Sequence, residues 1–352
     1  IGAPWKDYGQ LNRVGNGGFS LRSKKLIDLC TNINALPGEH EDGAICLRNK
    51  YALEQHGCKF APVEVAMKFS LESRIPECDF DLNNSFGFHG RGIPENTHDH
   101  DGKSNNILYF ISTVDNYNMH NDLHVDIDTN LSVLMNVLEN IDPNEDVTFN
   151  FVSSWFVYGQ NNEIPFREDY SKCEPTGFYS ITKRCAEQLL ISFCQTHGIK
   201  YRIFRLANVL GEGDGKISKK KNALQYLIRE IVHGNDVPLY YGGEVLRDYI
   251  YVDDVCDAIQ FCIEKAPAND IINVGSGEPY RFLDLINRAI RHANSDSKII
   301  QIEPTKFHDI VQVRHSYLDV SKLKSYGFRK IYNTEMIIEN LVDFYKEEMS
   351  HS

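Results

Sequence analysis

The sequence predicts an α/β protein whose parallel sheet is covered by helices, and three observations indicate this fold class. From residue 106 onward, short β-branched and aromatic runs alternate with amphipathic helical stretches, which is typical of βαβ units with right-handed crossovers. The composition, 42% hydrophobic and 24% charged, is that of a globular protein. A polar stretch at 96–105, marked by proline and glycine, separates residues 106–352 from residues 1–95 and predicts a linker between two domains.

Composition also excludes several classes of protein. The net charge of −12, with no basic stripe beyond the run at 219–221, predicts no nucleic-acid partner. No apolar run reaches the roughly 18 residues that span a bilayer, and no charged-then-apolar leader is found, so no membrane span is expected. Nine cysteines without paired CxxC spacing predict reduced thiols and a cytoplasmic location. We interpret a sequence that begins with Ile1 as a fragment, a processed product or a natural fusion.

The first segment contains a glycine-rich loop, an acidic pair and a late histidine. The loop GNGGFSLR, with Gly17 and Gly18, allows a close approach of the backbone to a ligand. Asp42 follows Glu41 at the start of an apolar, helix-like run, where carboxylates are equally explained as N-terminal helix charges. The aromatic strand SFGFHG ends near His89.

These three motifs in this order resemble the second half of a GT-A glycosyltransferase, in particular a family of uncharacterised domains carrying GNGGFSLR, ED and FGFHG. The resemblance implies that Gly17 and Gly18 lie near the donor sugar and that Asp42 is the general base or an acceptor contact. It also implies that His89 ligates Mn²⁺ or Mg²⁺. In that fold the nucleotide-binding strands and the DxD motif that provides carboxylate ligands precede the glycine-rich loop, and we expect this front half to be missing here. We therefore expect a partial GT-A-like α/β segment over residues 1–95.

In the second segment, the strands and helices alternate. The stretch ILYFIST at 107–113 predicts a buried strand, 126–141 an amphipathic helix, and VTFNFVSS at 147–154 the next strand, ending at Ser154. A helix that begins at Tyr179 places Tyr179 and Lys183 on one face, because they are four residues apart. A cation beside a tyrosine favours the phenolate and lowers its pKa.

The serine, the VYG that follows it and the Tyr179-x-x-x-Lys183 pair resemble the extended short-chain dehydrogenase/reductase family, the nucleotide-sugar epimerases and dehydratases. The resemblance implies that Tyr179 is the catalytic acid/base, that Lys183 lowers its pKa and holds the ribose of NAD or NADP, and that Ser154 hydrogen-bonds the reacting oxygen. Thr113, after the family's fourth strand, is implied as a further cofactor contact. The alternative is that a tyrosine and a lysine fall four apart by chance.

Downstream motifs extend the same resemblance into a small α+β substrate-binding lobe, formed mainly from residue 209 onward. The stretch RLANVLG resembles the family's RxxNVYG and implies that Asn208 contacts the diphosphate of a sugar nucleotide. The stretch VLRDYIYVDDV implies that Arg247 clamps the diphosphate, with a surface salt bridge to Asp248 or Asp253 as the alternative. Arg314 holds the position of a late arginine that contacts the nucleotide in this family.

Two further elements are interpreted as structural. Asp253 and Asp254 are expected to be the N-cap and first turn of a helix through Ile263. The glycine turn in NVGSGEP is expected to connect a strand to a helix and not to bind phosphate, as in the family.

A dinucleotide-binding sheet of this kind begins with a strand that enters a GxxGxxG turn, and this sequence contains no such turn. The resemblance therefore starts at the family's fourth strand, and we expect weak NAD(P) binding unless a homodimer or a complementing chain supplies the turn. The expected function is modification of a nucleotide-diphosphate sugar by an epimerase, dehydratase or reductase, fused to a glycosyltransferase-like segment. The alternatives are a non-catalytic or partner-dependent sugar-nucleotide-binding remnant and a metal-dependent glycosyltransferase.

Overall fold

The structure is a computed structural model that describes residues 105–350, except 115, 121, 145, 161–162 and 213–221. The chain divides into two units, residues 1–104 and 105–352, and every described residue belongs to the second. The four residues assigned to the glycosyltransferase-like segment lie outside the described residues: Gly17, Gly18, Asp42 and His89.

The main sheet of the described residues has four parallel strands in the order β1-β2-β3-β8. These strands are β1 (Asn105–Tyr109), β2 (Val147–Ser154), β3 (Lys200–Leu206) and β8 (Asp270–Val274). The parallel α/β fold predicted from the sequence is confirmed. The predicted strand at 147–154 matches β2, whereas β1 begins before residue 107 and ends at Tyr109, so it overlaps only the first part of the predicted stretch at 107–113.

Two helices cover one face of this sheet. The first, α1, consists of Val125–Ile127 and Val133–Glu139, joined by a π-helical turn at Asp128–Ser132. The second, α2, spans Phe178–His197 and ends at Gly198, whose φ of 70° is readily adopted by glycine. The core between these helices and the sheet is formed by fully buried residues, among them Leu134, Leu138, Phe149, Phe151, Ala186 and Leu190.

Helical spacing in α2 is a poor guide to its buried face. Ile181 and Leu189 belong to a set of apolar residues that recur at helical spacing in α2, yet they are 46% and 37% exposed. Ala186 and Leu190, from the same set, are fully buried. The reason is that Ile181 and Leu189 lie eight residues apart on one side of the helix, and no described residue covers that side enough to bury them.

The opposite face of the sheet is covered by α4 (Val252–Lys265) and α7 (Ser321–Ser325), which share a core with strands β3 and β8. A second core lies in the C-terminal lobe, where β5 (Val237–Tyr240) pairs in parallel with β10 (Ile299–Ile302). Three helices surround that core: α3 (Ala223–Val232), α5 (Phe282–Ala293) and α8 (Thr334–Ser350). The chain after residue 209 thus contributes to both cores and not to the lobe alone.

Short elements connect the two cores. Strand β4 (Asn208–Leu210) pairs in parallel with β7 (Tyr249–Tyr251), and β6 (Leu246–Arg247) pairs antiparallel with β9 (Tyr280–Arg281). A one-and-a-half-turn helix, α6 (Lys306–Val311), precedes the segment that contains Arg314. None of the helices among the described residues has the length and apolar character needed to cross a bilayer.

The glycine turn after β8 binds a side chain of the protein itself. The buried carboxylate of Asp248 accepts hydrogen bonds from Ser276 N at 2.8 Å, Ser276 Oγ at 2.6 Å, and Gly277 N and Leu318 N at 3.2 Å each. Backbone N–H groups that could hold a phosphate are therefore already occupied by a carboxylate, which supports the structural interpretation of this turn.

The predicted capping role of Asp253 and Asp254 is wrong in part. Both lie in the first turn of α4, as expected, but the N-cap is Tyr251, whose side chain makes no capping bond. The carboxylate of Asp254 is 1% exposed and accepts from Ile331 N at 2.7 Å and Tyr332 N at 3.0 Å. Asp254 therefore fixes the segment before α8, a long-range contact that local sequence does not reveal.

Candidate active site

Two adjacent serines end β2, and their side chains have different partners. Ser153 Oγ donates to Glu187 Oε1 at 2.6 Å, so its hydroxyl proton is bound within the core. Ser154 Oγ accepts from Phe156 N at 3.3 Å, because the chain turns there into a 3₁₀ helix, Trp155–Tyr158. The hydroxyl of Ser154 thus lies at the carboxyl end of the parallel sheet, where ligands of open α/β sheets bind.

Tyr179 lies in the first turn of α2 and is 9% exposed. Burial raises the pKa of its phenol above the ordinary value, whereas hydrogen bonds with the side chains of Ser154 and Ser112 act in the opposite direction. The negative charge of Asp126 raises the pKa further. The structure therefore brings Tyr179 and Ser154 together as expected, adds Ser112 as a second hydroxyl, and keeps the phenol protonated at neutral pH.

Lys183 lies one turn further along α2 and is 2% exposed. Its Nζ donates to Val152 O at 2.6 Å and lies 4.5 Å from the centroid of the Phe151 ring. Burial lowers its pKa to about 7, although the nearby carboxylate of Glu187 favours the charged form. Lys183 is not among the groups that shift the pKa of the Tyr179 phenol, whereas Ser154 lowers it. The hydroxyl of Ser112 donates to Thr113 O at 2.6 Å.

Thr113 belongs to a buried polar network between the loop after β1 and the two helices. Its N donates to Asn130 Oδ1 at 2.8 Å, and its Oγ1 donates to Asp126 Oδ1 at 2.5 Å. Asn130 lies in the π-helical turn of α1 and donates to Thr182 Oγ1 at 2.9 Å. π-Helical turns are frequent at functional sites. The hydroxyl of Thr113, predicted to contact the cofactor, is used inside the protein.

Asn208 lies at the start of β4, and its Nδ2 donates to Asp248 O at 2.9 Å. It lines a narrow gap with Trp155, the residue that follows Ser154, and with Ser316. One N–H of the Asn208 amide, which is predicted to contact a diphosphate, is therefore already donated to the backbone. The neighbouring Ser316 hydroxyl is buried and has no hydrogen-bond partner among the described residues.

The guanidinium of Arg247 lies near the segment that follows Ser154. Its Nη1 donates to Leu246 O and to Arg314 O, at 2.8 Å each, and its Cζ lies 5.8 Å from the centroid of the Trp155 ring. Within the described part of the chain it forms no salt bridge, so the alternative in which Arg247 pairs with Asp248 or Asp253 is wrong.

Arg314 completes a cationic cluster with Arg247. Its guanidinium is exposed and lies 5.2 Å from the centroid of the Tyr241 ring. Burial, followed by the positive charges of Arg314 and Arg247, lowers the pKa of His315, and burial followed by Arg247 lowers that of His308. Two arginines that depress the pKa of neighbouring histidines create a site that favours an anion.

Sequence reasoning missed Ser112, Asp126, Asn130 and His308. Ser112 had a usable signal, because a hydroxyl residue directly after a buried strand lies at the same sheet edge as Ser154. The others had none, since they come together only when α1, α2 and α6 pack around that edge. Among the described residues, no group of three or more histidine, cysteine or carboxylate side chains could hold a metal ion.

Two protein-family models match parts of this chain. Residues 106–275 match the model of the NAD dependent epimerase/dehydratase family. Residues 1–89 match DUF5672, a family of unknown function. The chain is 30% identical over 172 residues to an uncharacterized protein of Methanocaldococcus jannaschii, covering 49% of this chain and 50% of that protein. It is 28% identical over 188 residues to dTDP-L-rhamnose 4-epimerase of Burkholderia thailandensis, covering 53% and 51%.

Solved structures show the same fold. The UDP-glucose 4-epimerase of Thermotoga maritima has a TM-score of 0.64 at 20% identity and covers 86% of this chain and 95% of that one. The UDP-N-acetylglucosamine 4-epimerase of Methanobrevibacter ruminantium has a TM-score of 0.65 at 20% identity, covering 80% and 91%. The chain spans about half the length of the two curated relatives named above. Residues 106–275 are thus similar to the epimerase/dehydratase family, and the solved structures show the same parallel α/β fold.

Proposed function

We propose that the epimerase/dehydratase domain of this chain interconverts a hydroxyl and a carbonyl on the sugar of a nucleotide-diphosphate sugar, as an epimerase, dehydratase or reductase. The observation that carries the proposal is the buried phenol of Tyr179, hydrogen-bonded with Ser154 at the carboxyl end of the sheet. The named relatives and structures, among them a dTDP-L-rhamnose 4-epimerase and a UDP-glucose 4-epimerase complex with UDP-glucose, support this class of substrate.

The proton would move between Tyr179 and the sugar oxygen. Because burial keeps the phenol protonated, Tyr179 donates its proton to the sugar oxygen when a carbonyl is reduced. When the alcohol is oxidised, the phenolate accepts the proton of the hydroxyl, so the phenol must first have released its own proton. Ser154 hydrogen-bonds the same oxygen and stabilises the charge that develops on it. Ser112 is placed to hold the phenol in position by its hydrogen bond.

Lys183 fits the ribose end of a nicotinamide cofactor. Val152 O is its hydrogen-bond acceptor among the described residues, which leaves two of the three N–H donors of a buried ammonium for ribose hydroxyls. Bound NAD or NADP would supply or accept the hydride at the sugar carbon. A ligand hydroxyl would also compensate part of the burial that lowers the pKa of Lys183.

The cationic cluster of Arg247 and Arg314 would bind the diphosphate. Both guanidinium groups lack a carboxylate partner in the described part of the chain, and Arg247 Nη1 donates to the backbone carbonyl of Arg314. We expect Arg247→Gln and Arg314→Gln each to weaken binding of UDP or dTDP by about 10-fold or more. Arg281→Gln is the matched control, because Arg281 pairs on the surface with Glu244 and Asp284.

Substitution of the phenol tests the reaction itself. The full chain is incubated with UDP- and dTDP-sugars and NAD⁺ or NADP⁺, and products are identified by chromatography and mass spectrometry. Tyr179→Phe is expected to lower turnover by about 10²-fold or more while nucleotide binding stays intact. Tyr109→Phe is the control, because its buried hydroxyl has no hydrogen-bond partner in the described structure. Turnover retained in Tyr179→Phe would overturn the mechanism.

Calorimetric titration with NAD⁺ separates the proposal from the non-catalytic alternative. Micromolar binding of NAD⁺ to the chain alone contradicts the alternative in which the domain does not bind the cofactor. Binding of NAD⁺ that appears only after a second chain is added indicates a partner-dependent domain. The test is needed because the sequence contains no GxxGxxG turn to bind the pyrophosphate.

The glycosyltransferase-like interpretation of residues 1–95 is a separate proposal, supported by its motifs and not by a known activity of the matched family. It expects Mn²⁺- or Mg²⁺-dependent hydrolysis or transfer from UDP-sugars that is lost in Asp42→Ala and weakened in His89→Ala. An unchanged rate in Asp42→Ala would refute the assignment of Asp42 as the base.

A further inference from the structure

A second cavity lies apart from Tyr179, between α2 and the loop at residues 168–173. Its volume is about 610 Å³, and none of the residues proposed for catalysis or nucleotide binding lines it. Polar and charged side chains dominate its wall, among them Lys172, Cys173, Arg184, Gln188, Gln195 and Arg205. The cavity thus has room for a small polar molecule.

One guanidinium in the cavity wall has an unused donor. Arg205 is 1% exposed, and its Nε and Nη2 donate to the two carboxylate oxygens of Glu187 at 3.0 and 2.7 Å. Its Nη1 is buried and has no hydrogen-bond partner among the described residues. Buried polar groups are almost always satisfied in native proteins, so an acceptor from outside the protein is expected at this atom.

The charges near Arg205 favour an anionic acceptor. Arg184 Nη1 lies 2.9 Å from the same Glu187, so two guanidinium groups share one carboxylate and leave one positive charge in excess. Burial raises the pKa of the Cys173 thiol in the cavity wall, and the positive charges of Arg205 and Arg184 oppose this effect. Both cations therefore act on the cavity wall.

The acidic residues of the cavity wall have partners elsewhere. Glu168 Oε1 accepts from Asn273 N at 2.8 Å, and the Coulombic attraction of Lys322 acts on the same carboxyl. Asp169 is exposed and pairs with Arg167 at 3.5 Å. Neither contact neutralises the pair of arginines at the inner wall.

We propose that this cavity binds a small oxyanion, carrying a carboxylate or a phosphate group, whose oxygen accepts a hydrogen bond from Arg205 Nη1. The charge of the oxyanion offsets the excess positive charge that Arg184 and Arg205 share. The site is independent of the proposed sugar chemistry, because it uses none of the same residues.

Cys173 provides a reporter inside the cavity, because its half-buried thiol lies in the wall beside Arg205. Iodoacetate and iodoacetamide alkylate the same thiol by displacement of iodide and differ in charge. An excess positive charge is expected to raise the ratio of the two rates at Cys173 by about 3- to 10-fold over the ratio for N-acetylcysteine amide in the same solution. Peptide mass spectrometry measures both rates on the full chain.

Arg184→Gln removes one of the two cations from the cavity rim, where Arg184 is partly exposed, and is expected to lower the ratio at Cys173 toward that of the free thiol. Arg281→Gln, on a distant surface, is the control and should leave the ratio unchanged. Protection of wild-type Cys173 by inorganic phosphate alone identifies a phosphate site, by malonate alone a carboxylate site, and by both a general oxyanion site. A ratio equal to that of the free thiol, with protection by neither anion, would overturn the proposal.

Discussion

The buried ammonium of Lys183 makes a quantitative prediction about stability and pH. Burial lowers its pKa from 10.5 to about 7, so between these values the folded protein binds fewer protons than the unfolded chain. The free energy of unfolding contributed by this residue therefore rises with pH through that window. The whole difference between the two pKa values corresponds to about 5 kcal/mol of unfolding free energy. About 2–3 kcal/mol of this change occurs between about pH 6 and pH 9.

Replacement of Lys183 with methionine removes this dependence while filling the same volume. Lys183→Met is expected to be more stable than wild type near pH 6, and this advantage should shrink by about 2–3 kcal/mol near pH 9. Loss of the hydrogen bond to Val152 O adds an offset that does not vary with pH, so the change between the two pH values is the quantity to measure.

Urea denaturation in the absence of nucleotide measures this change. The fluorescence of Trp155, which is 3% exposed, reports on the described domain in a Trp5→Phe background. Lys200→Met is the control, because the ammonium of Lys200 is half exposed beside Asp146, and a much smaller change is expected. Parallel pH dependences for wild type and Lys183→Met would refute the reasoning, since they would mean that burial does not perturb the lysine.

Two further predictions concern the core and the nucleotide site. Leu190→Ala, at a fully buried position of α2, is expected to cost about 2–5 kcal/mol in urea denaturation, whereas Leu189→Ala, at a position 37% exposed, should cost less than about 1 kcal/mol; equal costs would contradict the assigned face. His308 is held neutral by burial and by Arg247, so a bound diphosphate should raise its pKa and take up protons. Calorimetry should therefore show UDP binding about 2- to 5-fold tighter near pH 6 than near pH 8, and His308→Gln should flatten this dependence; an unchanged slope would exclude His308 as the coupled group.

Local pattern was sufficient for much of the fold and for the first members of the site. The strand at 147–154 and the helix beginning at Tyr179 could be predicted because β-branched runs and helical spacing are properties of a few consecutive residues. Ser154 and Tyr179 could be assigned to one site because their motifs resemble those of the epimerase and dehydratase family.

Contacts between residues distant in sequence could not be predicted in this way. Asp254 was expected in the first turn of its helix and lies there, but its carboxylate also binds the backbone of residues 331 and 332, which local sequence does not reveal. Leu189 belongs to the apolar pattern of α2 and is nevertheless 37% exposed, because burial depends on which neighbouring element covers a helix face. Periodicity shows that a face is apolar and does not show what packs against it.

The sequence by itself determined the α/β class, the parallel strands and the position of Tyr179 at the start of its helix. These are properties of composition, period and motif. Only the tertiary structure decided that Lys183 donates to Val152 O, and that Arg205, in the wall of a cavity, has one buried donor without a hydrogen-bond partner among the described residues. The physical reason is that hydrogen bonds and pKa values depend on burial and on partners brought together by packing, and neither is encoded in the spacing of a motif.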